Sequence, residues 1–151
     1  MRHQLESIFE QRPQHGRNLF LGRAIRHFRQ NIEPLCRPDS VIFIHDCYPI
    51  DARSAAREQS TGFWSGDIWR VIVLLKKYRP DLSIHTIGAP PTGLGLITRL
   101  DPGSSLLRSR LPALIAEGLA LDFSEIALRR PEALNLLPYD WPHVRQLLDS
   151  R

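Results

Sequence analysis

The sequence predicts an α/β domain: a sheet of about three strands, the last two forming an antiparallel hairpin, followed by a helical C-terminal tail. Three observations carry this. Apolar residues recur at helical spacing in two stretches, Leu21, Ile25, Phe28 and Ile32, then Ile68, Val71, Ile72 and Leu75. Short apolar runs rich in β-branched residues, "VIFI" (41–44), "LSIHTI" (82–87) and "LGLIT" (94–98), read as strands. Only six residues, 88–93, join the last two runs. A parallel crossover needs about a dozen or more, so these two strands pair as a hairpin.

Taken in order, residues 1–17 form a polar, weakly patterned N-terminal segment. Residues 18–103 carry the α/β part and 104–151 the helical tail. Asn18 suits the cap of the first helix, arginines line its outer face, and Pro34 stops it. "CRPDS" turns the chain into "VIFI", whose lack of alternation suits a strand covered on both faces, as in a parallel sheet. That strand ends on His45 and Asp46. Residues 45–63 are too polar and irregular for a core element, and a loop of this length is more often functional than structural. Ser65 and Asp67 supply capping and dipole chemistry for the second helix, and "KKYRP" closes it with positive charge and a proline. Pro112, Gly118, Pro131, Pro138 and Pro142 break the tail into short helices. Pro142 fits the first turn of a final helix capped by Asp140.

With 151 residues, 42% hydrophobic and 24% charged, the chain has room for one domain with a real core. No apolar run approaches the roughly 20 residues that cross a bilayer. "MRHQLESIFEQRPQHGR" lacks the apolar centre of a signal peptide, so a cytoplasmic protein without a membrane partner is expected. Cys36 and Cys47 are too few for a disulfide framework and stand in no CxxC pair, which makes them buried free thiols. The net charge of +4 is spread over dispersed arginines. Without a dense basic run or interleaved aromatics, it argues against a nucleic-acid partner.

His45 and Asp46 stand where open α/β sheets place their ligands, beyond the carboxyl end of a strand. Asp46 has the chemistry to coordinate a hard cation such as magnesium or to accept a proton from a hydroxyl. His45 is an alternative base, since imidazoles as a class change charge near neutral pH, and a purely structural role in the following loop is the other reading. Asp51, Arg53 and Arg57 lie in the long loop. The arginines have forks for an anionic or sugar-like ligand, or are ordinary solvated charges. Trp69 is expected in the core and Trp64 either there or at a pocket rim. His85, on a strand, is expected to be structural or solvent-facing.

The segments "FIHDCYP", "FWSGDIWRVIVLLKKYRPDL" and "PPTGLGLI", in this order, resemble the C-terminal half of class I S-adenosylmethionine-dependent methyltransferases. The branch is a bacterial one with a strand-end His-Asp and a Trp-x-Gly-Asp-x-Trp helix start. The resemblance covers about residues 18–103, and "LNLLPYDWP" in the tail is similar to the same branch. It implies a partial Rossmann-like methyltransferase sheet in which "VIFIHD" is the fifth strand, "WSGDIWRVIVLLKKYR" the next helix, and the hairpin the last two strands, the final one antiparallel. It also implies O-methyl transfer to a small or sugar-like acceptor. His45 and Asp46 would be catalytic, Asp46 the ligand of a divalent cation, and Arg53, Arg57, Trp64 and Asp67 substrate-binding.

In that family S-adenosylmethionine is cradled by a Gly-rich turn after the first strand, with an acidic residue after the second on the ribose. Neither has a counterpart in these 151 residues. "TGLG" (92–95) enters a strand and opens no helix, so it fails as a dinucleotide-type fingerprint. The expectation is a truncated or incomplete methyltransferase, inactive alone, and whether the chain is itself an enzyme stays open. The alternative is a non-enzymatic module that docks through an exposed first strand, with a second copy or a complementary chain as partner. His-Asp phosphohydrolases also carry "HD", but on a helix among further metal ligands, unlike this strand end.

Overall fold

The structure, a computed structural model, describes residues 20–149. The expected N-terminal segment, 1–17, and the Asn18 cap lie outside the described residues. Helix α1 spans Phe20–His27, then widens and tightens: a π-helical turn, Phe28–Ile32, and a 3-10 turn, Glu33–Leu35, carry the chain past Pro34. Pro34 does not stop the helix where its fixed φ was expected to, because it enters the first positions of the 3-10 turn, where its missing N–H costs nothing.

Strand β1 is Ile42–His45, helix α2 Trp69–Tyr78, strand β2 Ser83–Ile87 and strand β3 Leu94–Thr98. Helices α3 (Leu111–Ala120), α4 (Ser124–Ala127) and α5 (Arg130–Ala133) follow, then a two-residue strand β4, Leu136–Leu137, and helix α6, Trp141–Asp149. The sheet order is β1-β3-β2-β4. Strand β3 is antiparallel to both β1 and β2, as expected of the last strand of the hairpin, while β4 adds parallel to β2. Among the described residues the sheet therefore has four strands where the sequence suggested about three.

Strand β1 is exposed at the edge, as the docking alternative expected, but it is not covered on both faces. It sits at the sheet edge, its one described neighbour is antiparallel, and its residues alternate between half-buried and exposed. Ile42 and Ile44 face the main core and Phe43, 50% exposed, faces out. A run without polar alternation does not require two covered faces; an edge strand carries it at the cost of an exposed aromatic.

The main core lies on one face of the sheet, where Leu21, Ile25 and Phe28 of the first helical stretch meet Trp69, Ile72 and Leu75 of α2 and Leu111 and Leu114 of α3. The tail and the α/β part thus share a core. Ile84 and Ile97 present the sheet to it. On the other face Ile87, Leu94 and Leu96 pack with Val144, Leu147 and Leu148 of α6. The alternation is the period-2 pattern of a pleated strand. At Gly95, on the main-core side, an added Cβ would lie 2.8 Å from Cys47 Sγ, so the thiol fills the space a side chain would take.

A buried ion pair fixes the far end of α2. Arg79 Nη1 donates to Glu33 Oε2 at 2.7 Å and Nη2 lies 2.7 Å from Oε1. Nε and Nη2 reach Asp81 at 2.9 and 2.6 Å. Burial pulls the guanidinium pKa down, but hydrogen bonds to Asp81 and Glu33 outweigh it and the net direction is up. The "KKYRP" stop is therefore a buried fork rather than a solvated charge. Lys76 also turns inward. Its Nζ donates to the carbonyls of Glu132 and Ala133 and to Asn135 Oδ1, at 2.9, 2.7 and 2.8 Å. Asn135, held at φ 48°, donates through Nδ2 to the Ile84 carbonyl and accepts from the Thr86 N–H, which lays β4 beside β2.

Candidate functional site at the carboxyl rim of the sheet

The antiparallel ladder brings two strand ends to one place: His45 at the end of β1 and Ile87 at the end of β2 both pair with Leu94 at the start of β3. The carboxyl ends of β1 and β2 thus share a rim with the segment 88–93, the position where open α/β sheets hold ligands. Strand pairing puts Phe43 and His45 opposite Leu96 and Leu94, on the α6 side, and the His45 side chain is 69% exposed.

Asp46 leaves the strand with φ 64°. That left-handed conformation is uncommon outside glycine, asparagine and aspartate, and it ends the ladder. The Thr92 hydroxyl donates to Asp46 Oδ1 at 2.5 Å, and His45 Nδ1 lies 2.9 Å from the same oxygen. Thr92 itself is buried, and its carbonyl accepts from Tyr48 N–H at 2.6 Å. Gly93 adopts φ 73°, and a Cβ there would come within 2.4 Å of Tyr48 Cβ. The peptide bond between Pro90 and Pro91 is cis.

The segment after Asp46 is fastened from the tail. Arg130 Nη1 donates to the Pro49 carbonyl at 2.8 Å and to that of Ile50, and its guanidinium stands 4.6 Å from the Tyr48 ring centre. Cys47 is buried, donates from Sγ to the Ile44 carbonyl at 3.1 Å, and is pushed up to about 12 by burial. Cys36, half-buried and likewise a free thiol, is also raised, by burial first and Glu33 second.

The long loop is a built structure. Asp51 Oδ1 accepts from Ser54 N–H at 2.8 Å, and Ser54 Oγ accepts from the N–H groups of Ile50 and Asp51. The Ser54 N–H, with the Ser54 hydroxyl and Arg53 adding to it, holds the Asp51 carboxyl below its usual range against the opposing effect of burial. Ser54 O receives Ser65 Oγ–H and the N–H groups of Ser65 and Gly66. Ser65 and Asp67 therefore do not cap α2, whose N-terminal side carries no side-chain cap. Ser65 is drawn back to the loop, and Asp67, buried, accepts from Arg57 Nε at 3.3 Å and Arg70 Nη1 at 3.2 Å.

Of the expected substrate-binding residues, Arg57 and Asp67 thus come together, but as partners of each other. Arg57 also donates to the Leu119 carbonyl at 2.6 Å. Trp64 Nε1 donates to the Ala56 carbonyl at 2.6 Å, and Arg53, exposed, donates to that of Ser60. Trp69 is fully buried, as expected. His85 is half-buried beside Ser83 Oγ at 3.2 Å, its pKa lowered by burial and then by Lys76. Asp140 contacts the His143 ring at 2.7 Å, and Pro142 does stand in the first turn of α6. Sequence reasoning missed Thr92 and Arg130. A glycine in a six-residue hairpin turn signals a positive φ and a close approach, which was the available pointer to Thr92.

The groups that the resemblance implies can be tried against these residues. Gly93 and Gly95 offer no cradle for S-adenosylmethionine, because Tyr48 stands against the first and Cys47 and Ile72 against the second. Among the described residues no three or more His, Cys, Asp or Glu side chains converge to hold a metal ion, and Asp46 meets Thr92 and His45 through one oxygen. Neither group is matched by the residues present. Among the described residues no helix is long and apolar enough to cross a membrane. Comparison with known proteins finds no similarity: no family model, curated protein or solved structure matches the chain.

Proposed function

We propose that the rim formed by His45, Asp46 and Thr92 is the acceptor side of a methyl-transfer site, of the class I S-adenosylmethionine-dependent kind, for a small or sugar-like hydroxyl compound. The observation that carries the reading is the His-Asp pair at a strand's carboxyl end, the acid held in a left-handed conformation and hydrogen-bonded by Thr92. Backbone strain of this sort costs free energy and gathers at functional positions. The antiparallel second strand of the hairpin, β3, and the three sequence segments quoted above support the same reading. The donor side is not encoded in these 151 residues, so they bind no S-adenosylmethionine with ordinary affinity and transfer no methyl group by themselves.

Two measurements test this. Calorimetry of the chain with S-adenosylmethionine is expected to show no micromolar binding; micromolar affinity would sink the division into donor and acceptor sides. Titration with a panel of hydroxylated sugars and phenols, followed by amide and imidazole NMR, is expected to shift His45 and Thr92. A panel that moves neither refutes the acceptor-side reading.

A second reading is favoured by one observation, the position of β1 at the sheet edge with Phe43 half exposed. An unpaired strand edge invites another chain, and the protein would then be a non-enzymatic docking module. Light scattering that finds stable monomer at all concentrations refutes it.

A further inference from the structure

We infer that Trp141 and Tyr139, with Asp140 between them, form a ring-stacking platform on the same rim, and that it takes an uncharged sugar ring. The far end of that ligand, at His45 and Asp46, rests on the acceptor-side reading above. The aromatic platform rests on the course of β4 and α6.

Three strands end at this rim. Strands β1 and β2 are both antiparallel to β3 and so run the same way, and β4 is parallel to β2. The chain leaving Leu137 therefore emerges beside the chain leaving Ile87, where Gly88 N–H donates to the Leu137 carbonyl at 3.0 Å. Residues 138–140 turn there and feed α6. Helix α6 lays Val144 and Leu148 on Ile87, Leu94 and Leu96, the face to which β1 turns His45. Trp141 stands three residues before Val144 and seven before Leu148, on the same stripe of the helix. Helical side chains lean toward the N-terminus of their helix, so the indole reaches back from the first turn toward the rim. It is 65% exposed, and Tyr139 is 73% exposed. A stripe buried at Val144 thus runs on to an aromatic ring that the described residues leave largely open.

The chemistry around these rings selects the ligand. Indole and phenol faces carry partial negative charge and attract the slightly positive C–H groups of a saturated ring. Asp140, its side chain 40% exposed, meets His143 Nδ1 through Oδ2 at 2.7 Å, which leaves Oδ1 to accept from a ligand hydroxyl. Asp46 stands at the other end of the same rim. Carboxylates accept hydrogen bonds and repel anions, so the ligand donates from hydroxyls at both ends and carries no phosphate or carboxylate. At the usual strand spacing β1 and β4, three places apart in the sheet, are separated by about 14 Å. That is a span for a sugar ring and its substituents, whereas a phenol with a single hydroxyl serves one end only.

The test is proton–nitrogen NMR of the whole chain, whose three tryptophans give three indole N–H signals. Trp64 and Trp69 donate to the carbonyls of Ala56 and Ala55 and serve as internal references for folding. Titration with methyl hexopyranosides is expected to shift the Trp141 indole and leave the other two unmoved. Read from the amides of Tyr139 and Asp140, Trp141→Ala is expected to weaken binding about tenfold and Trp141→Phe to keep most of it. A sugar that moves His45 and Thr92 but not the Trp141 indole overturns the platform and leaves the acceptor-side reading intact. A sugar that moves the Trp141 indole but neither His45 nor Thr92 upholds the platform and rejects the acceptor-side reading. A panel that moves none of the three overturns both. Unaltered binding in Trp141→Ala, or tighter binding of hexose 6-phosphates than of the uncharged sugars, also overturns the inference. So does a Trp141 signal that moves with protein concentration alone, which assigns the rings to a contact between copies.

Discussion

Replacing Arg79 by methionine tests how the far end of α2 is held. The Arg79 side chain is fully buried and that of Glu33 is 3% exposed, with two N–O separations of 2.7 Å between them. Methionine keeps the length and apolar stem but leaves the Glu33 carboxylate buried without its partner. Breaking a buried pair from one side costs about 3–5 kcal/mol, a large part of the roughly 5–15 kcal/mol by which domains are stable. The bond to Asp81 adds less, because that carboxylate is 35% exposed and water takes over its solvation. Urea denaturation followed by circular dichroism is expected to show the midpoint falling with an unchanged slope. Adding Glu33→Gln to Arg79→Met is expected to recover part of the loss, since no buried charge is then left. An Arg79→Met loss under about 1 kcal/mol, or a double variant no better than the single one, would show that the pair does not hold this end of the helix in the way described.

Three further outcomes follow from the same structure. Gly93→Ala forces a side chain onto φ 73° and against Tyr48 Cβ, and is expected to cost about 2–4 kcal/mol in urea unfolding, combining backbone strain with overpacking. Cys36 is expected to react with iodoacetamide well before Cys47, whose thiol is buried and pushed up to about 12; equal rates on the folded chain would contradict the packing of Gly95 against it. Hydrogen bonding lowers the Asp81 carboxyl through Arg79, and that of Glu117 through Lys77 and then Tyr78. Folded values below unfolded ones give stability that is full above 3.8 and 4.5 respectively and is lost as the pH falls through the folded values. Asp81→Asn is accordingly expected to flatten the acid limb of a stability–pH curve, and an unaltered limb would refute the linkage.

The elements legible in the sequence were those with strong local patterns. The stripes of Leu21, Ile25 and Phe28 and of Val71, Ile72 and Leu75 form helices, and the six-residue link between two apolar runs forms the hairpin. The cover of a strand is set by contacts between distant segments, which is why β1 was expected to be covered on both faces when Phe43 and His45 are exposed. Strand β4 has two residues and exists because Lys76 and Asn135 hold it, a relation across more than 50 positions that no periodicity reports. At the site, His45 and Asp46 were visible as polar residues ending an apolar run. Thr92 was not, since a threonine beside Pro-Pro and glycine reads as ordinary turn chemistry. Asp67 misled for a related reason: the residue type suits a helix start, but half-buried Arg57 and buried Arg70 take its carboxylate.

The empty position at Gly95 has a consequence for the rim. A strand can slide against its neighbours in whole residues, and a slip of one turns every side chain to the opposite face. Here a slip of β3 would bring Leu94 or Leu96 under Cys47 Sγ, where a single carbon atom at Gly95 would already come within 2.8 Å. The thiol therefore works as a gauge that accepts one alignment of β3 and rejects its neighbours. Thr92 lies two residues ahead of that strand, so the same gauge fixes its distance from Asp46. A cysteine with no chemistry of its own thereby sets the spacing of the residues at the rim.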